Sequence, residues 1–104
     1  MDIKYNLTVE KEAVVKNIER LTNLIFKLLP LREEGGDWQT PLQNLIIEIN
    51  GMSRILIDHQ SILFSIVCRL EGLMELEGED NFLLFRKTIF ETLSALGKVK
   101  QCLD

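Results

Sequence analysis

Arg54 and His59, separated by Ile55-Leu56-Ile57-Asp58, are the pair in this 104-residue chain whose types and spacing best suit chemistry. His59 is the single histidine, and an imidazole is the side chain that most readily passes a proton near neutral pH. A guanidinium nearby can hold an anion. The other chemistry-bearing groups fall into weaker patterns. Glu71, Glu75, Glu77, Glu79 and Asp80 crowd one stretch, but a Glu-x-x-His metal motif is missing, because Leu56 and Ile62 stand three residues either side of His59. Glu33, Glu34 and Asp37 lack the alternating spacing of a calcium loop. Cys68 and Cys102 are 34 residues apart, so neither a CxxC pair nor a zinc site is expected. Cys68, inside an apolar run, reads as a small core hydrophobe, and Cys102 as an exposed thiol. Phosphate loops, nucleophile elbows and dinucleotide fingerprints are absent from the sequence. The expectation is a protein with no metal and no cofactor.

The Arg-x4-His spacing of Arg54 and His59 resembles the signature of the HEPN ribonucleases, small all-helical domains that dimerise to bring two such motifs together. The resemblance implies metal-independent action of Arg54 and His59 on an RNA phosphate and 2′-hydroxyl at a dimer interface. It covers six residues. It departs from the family in having Ile55 where a polar residue is usual, and in lying mid-chain. Five residues along a straight helix also turn through about 140°, which points the two side chains apart. A histidine satisfied within a core or an interface is therefore the preferred reading, and over the whole chain no family is recognised.

Those residues must be held by helices. Residues 1–7 alternate weakly and are expected to form an extended arm. Thr8 can cap a helix over 8–30, whose seam Val14, Ile18, Leu21, Ile25 and Leu28 steps by four and three. Pro30 is expected to stop it. The stretch from Pro30 to Thr40, with its Gly-Gly pair, reads as a loop, and Thr40-Pro41 as the next N-terminus. From there Leu42, Leu45, Ile49, Met52, Leu56, His59, Leu63, Ile66, Leu70 and Leu73 keep one phase, which predicts a single helix over 41–76. Such a helix would be about 54 Å long. The alternative is two helices meeting near Gly51 or Asp58, since glycine weakens a helix interior by roughly 1 kcal/mol. Gly78-Glu79-Asp80 makes a turn, and Asp80 can cap a last helix over 80–103. The fold class is all-α: one domain, residues 1–104, a small bundle of three helices with a long central one, or of four should that helix kink.

Composition sets the function class. Hydrophobic residues make up 46% of the chain, far too many for a disordered segment. Ile46, Ile47, Ile57, Phe64, Val67 and Met74 lie off the main seam, so the long helix is apolar on nearly every face and must be covered all round. A second copy would do this, and a homodimer, or a permanent complex with another helical protein, is expected. The seam Leu56, His59, Leu63, Ile66 and Leu70 would carry that interface or the core. Trp38 and the acids Glu71, Glu75 and Glu77 are the first candidates for partner contact, with Trp38 as the plug of a bundle end the blander reading. Sixteen acids against twelve bases give a charge of −4, so DNA is not expected and RNA is disfavoured. The uncharged run His59 to Cys68 is half of a bilayer span, and a signal-peptide pattern is absent from the N-terminus, so a cytoplasmic protein without membrane partners is expected. The functional expectation is a helical protein–protein interaction module: a scaffold, a regulator or a small subunit, with no catalysis of its own. The alternative is the ribonuclease.

Overall fold

Stretches of three-four apolar spacing become four α-helices: α1 (Asp2–Glu33), α2 (Gln39–Ile55), α3 (Gln60–Leu73) and α4 (Phe82–Leu103). The computed structural model describes residues 2–103, with side chains from Glu12 to Leu103. Among the described residues there is no strand, and the fold is all-α. Short connections force neighbours to run antiparallel, and the helices close into a ring in which α1 and α3 each pack on both α2 and α4. The ring encloses one core. Ile18, Leu21, Ile25 and Leu28 enter it from α1, and Leu42, Leu45, Ile49 and Met52 from α2. Leu63, Ile66, Leu70 and Leu73 enter from α3, and Phe85, Ile89, Leu96 and Val99 from α4. Two hydroxyls in this core bond back to their own helices: Ser53 Oγ donates to Asn50 O at 2.6 Å and Thr92 Oγ1 to Thr88 O at 2.8 Å.

The first helix is longer than expected at both ends. Residues 2–7, expected as an extended arm, are helical, and α1 at about 48 Å runs the length of the 49 Å molecule. Pro30 lies inside α1 and does not end it. An interior proline costs about 3 kcal/mol through its missing donor and its push on the preceding turn. Continuing one more turn offsets this by packing Leu31 against the core and laying Arg32 over three aromatic rings. The helix then closes with two bonds, Gly36 N to Leu31 O at 2.9 Å and Gly35 N to Arg32 O at 3.0 Å. This is the Schellman pattern, with Gly35 at φ +77° in the left-handed position. Gly36 matters for a different reason: a Cβ there would stand 2.6 Å from Leu31 Cδ1 and 3.3 Å from Leu31 O, so the Leu31 side chain would have to shift.

The start of α2 is also set differently from the Thr40-Pro41 expectation. Asp37 Oδ1 accepts from the backbone N–H of both Gln39 and Thr40, each at 3.1 Å, so the aspartate does the capping. These contacts, with the Thr40 hydroxyl first among them, hold the Asp37 carboxyl below its ordinary pKa.

The expected helix over 41–76 is two helices. α2 ends at Ile55, Leu56 leaves the helical region (φ −94°, ψ 73°), and a 3-10 turn at Ile57–His59 leads into α3. Gly51 is not the break. It sits inside α2 with open space beside it. The phase of the seam did not reveal the corner because four residues of corner leave both halves facing the same core. α3 ends in a run of short turns from Met74 to Leu76, and Gly78 at φ +87° directs the chain through a 3-10 turn at Glu79–Asn81 into α4.

Candidate functional site

The two ends of the bundle are built from different chemistry. At the end holding the 34–38 loop and the 74–81 turn, the Arg32 guanidinium lies 4.3 Å from the Phe85 ring centroid, 5.0 Å from Trp38 and 5.7 Å from Phe82. One of its nitrogens donates to Gly78 O at 2.7 Å, tying the two connections together. Another, Nη1, is buried against the rings with no oxygen partner. Burial lowers the Arg32 pKa and the nearby Glu77 carboxylate opposes that shift, yet a guanidinium stays charged throughout the working range. Trp38 stacks edge-on against Phe85 with centroids 5.1 Å apart and is only 7% exposed. The Trp38 indole is therefore a plug for this end and no free anchor, which favours the blander of the two sequence readings. Glu71, Glu75 and Glu77 are exposed on and after the last turn of α3.

At the opposite end, an apolar cleft of about 310 Å³ opens between α1 and the last turns of α2. Ala13 and Val14 form one wall, Met52, Ile55 and Leu56 the other, and Gly51 leaves space where any other residue would place a side chain. Asn17 and Glu48 stand at its polar edge. Arg20 bonds both of them, forming an ion pair with Glu48 and donating to Asn17 Oδ1 at 2.8 Å. Both charged groups are substantially exposed, so this latch orients the rim and contributes little stability. Ile55, which lines the cleft, is 54% exposed, and Ile57, in the 3-10 turn that follows, is 60% exposed.

Of the seam residues, Leu56, Leu63, Ile66 and Leu70 are buried in the core. His59 is half-buried, placed in the 3-10 turn at the corner and outside the hydrophobic cluster. Arg54 is exposed in the last turn of α2, so the corner falls between the two residues of the Arg-x4-His spacing. Cys68, expected in the core, is exposed. It follows the buried Ile66 by two positions, about 200° around α3, and so points outward. Cys102 is exposed as expected. Among the described residues, three metal-binding side chains come together nowhere, and none of their helices is long and apolar enough to cross a membrane.

Sequence reasoning missed the cleft. Its signal was Gly51, read as a weak point in a helix when it is an opening in a wall. The Arg32 cage was missed too, since one arginine before an acidic loop carries no mark of the aromatic rings that arrive from residues 38, 82 and 85. No protein-family model, curated protein or solved structure matches the chain.

Proposed function

We propose that the chain is a helical protein–protein interaction module, and that the cleft between the middle of α1 and the end of α2 receives an apolar segment of its partner. The observation that carries this is the open apolar volume beside Gly51, with Ile55 on its wall more than half exposed and Ile57 in the adjoining 3-10 turn also left in water. Burying an isoleucine side chain gains about 1.5–3 kcal/mol relative to leaving it exposed, so Ile55 and Ile57 are a ready source of binding energy. The polar rim of Asn17, Arg20 and Glu48 supplies register, as polar edges of interfaces do. On this reading the partner contact lies at the corner end, away from Trp38.

A photoreactive side chain at Ile55 tests the reading in native lysate. One specific covalent adduct is expected, and it should disappear in a Gly51→Leu background, where the added side chain fills the cleft. An adduct that survives Gly51→Leu, or that forms equally from a photoreactive group at Leu83 on α4, contradicts it.

A further inference from the structure

We propose that the α2–α3 corner is a hinge through which two copies of this chain exchange halves, so that one partner of this module is a second copy of itself. The inference rests on the reading that the corner end of the bundle binds another polypeptide; the cleft, whose walls belong to α1 and α2 of one copy, stays open in the exchanged dimer.

Three observations carry it. The first is phase. From Leu42 to Leu73 the seam steps alternately by three and four across the corner, through Leu56 and His59, with no slip. A helical hairpin needs no such continuity, because each helix can take its own register. One uninterrupted helix does need it.

The second is the chemistry of the corner. Its residues are Leu56, Ile57, Asp58 and His59, with no glycine, no proline, no positive φ, and no side-chain cap at Leu56 or His59. The other two connections each hold a glycine at positive φ, and Arg32 ties them together. No residue of the corner forbids a helix, and only Asp58 mildly disfavours one, so it is the connection free to straighten.

The third is the exposure of Ile57. Continuing α2 as a helix places Ile57 four residues after Ser53 and eleven after Ile46, on a flank that joins buried Ser53 and core-packed Ile46 to exposed Asn50 and Arg54, at the edge of the core-facing stripe. In the hairpin Ile57 is mostly in water. In the straightened helix that flank lies against the other copy.

The exchanged dimer follows directly. Residues 39–73 form one helix of about 52 Å. The α1–α2 pair of one copy packs on the α3–α4 pair of the other, and each core contact is remade with the equivalent residue of the second chain. Only the corner differs between the two states, which is the condition under which exchange costs least.

The ion pair between Lys100 Nζ and Glu19 Oε2, 2.8 Å apart, reports which state is present, because it joins α4 to α1 and becomes intermolecular on exchange. Isotope-labelled and unlabelled full-length chains are mixed, refolded together at high concentration, separated by mass with light scattering, and coupled with a zero-length carbodiimide. The expected result is a dimer fraction whose linked Glu19–Lys100 peptides include mixed-label pairs. A dimer with only same-label links overturns the proposal in favour of side-by-side association, and a monomer at every concentration overturns it outright.

Two variants sharpen the test. Ile57→Pro puts proline at the first position of the 3-10 turn, after a residue already outside the helical region, and forbids a continuous helix. It should abolish the dimer and leave the monomer folded. Asp58→Ala raises helix propensity in both chains and should tighten dimerisation by about tenfold. No tightening contradicts the proposal even if the proline variant fails to fold. Gly51→Leu fills the cleft without touching the corner. Loss of the cleft adduct with exchange intact, or the reverse, therefore separates the failure of one reading from failure of the other.

Discussion

The loop end and the corner end of this bundle connect helices by opposite means. At the loop end, Gly35 and Gly78 adopt φ values of +77° and +87°, Gly36 makes room for Leu31, and Asp37 caps α2. Arg32 then binds the two connections through Gly78 O and three rings. At the corner end, four residues without glycine or proline join α2 to α3, near an unfilled cleft and two exposed isoleucines. The difference teaches where this fold keeps its stability and where it keeps its freedom. Local sequence determines the first end, while only the packing of helices on either side determines the second.

The largest effect should come from breaking the loop end at its centre. Phe85 is fully buried, meets Trp38 edge-on, and carries the closest of the Arg32 contacts. Phe85→Ala should destabilise the fold by about 3–5 kcal/mol, the usual cost of deleting a buried ring. Chemical denaturation followed by Trp38 fluorescence measures this directly, since the indole loses its ring partner in the same variant. A loss under 1 kcal/mol would mean that the end is held by its glycine turns alone.

Glycine substitutions then sort the two ends by sign. Gly51 in α2 has nothing within 4 Å of an added Cβ, and Gly97 in α4 is equally open. Gly51→Ala and Gly97→Ala should each stabilise by roughly 0.5–1 kcal/mol, because alanine is the better helix former. Gly78→Ala, at positive φ, should destabilise by about 1–2 kcal/mol. Thermal melts of the three variants check the order. Opposite signs sharpen the contrast between an end that needs its glycine and an end that leaves one as an opening.

Much of this could be read from the chain, and what could not has a physical cause. The buried positions of α1 and α4 follow from spacing alone, as Ile18, Leu21, Ile25 and Leu28 show, because a helix with one apolar stripe has one way to face a core. The corner at Leu56–His59 was legible only as the Asp58 alternative, because the seam phase runs through it unbroken and no glycine or proline marks it. Pro30 misled because a single-residue rule was set against tertiary contacts of Leu31 and Arg32 that only the folded chain reveals. Cys68 misled because a run of apolar residues on a short helix includes its outer face. The cleft was written in one glycine, but a glycine in a helix marks an opening only once the facing helix is known to carry alanine and valine there.

The smallest effect belongs to the cap of α2, and it tests the loop end through pH. The Asp37 carboxyl accepts bonds from Thr40 and Gln39, and its pKa in the fold lies below its ordinary, unfolded value. A group with a lowered folded pKa stabilises the fold fully above its unfolded pKa and loses that contribution as pH falls through the folded one. Asp37→Ala should therefore melt at lower temperature than the parent chain at neutral pH, and the two melts should converge as the pH drops below the carboxylate range. Asp37→Asn keeps an acceptor at the cap without the charge, so it should melt between the two and lose the Asp37 pH dependence. Melts of the parent and Asp37→Ala that stay parallel through the acid range would show that Asp37 does not cap α2 in solution. The 34–38 loop would then be held by Gly35, Gly36 and the Arg32 cage, and the contrast with the corner would rest on glycine and aromatic packing alone.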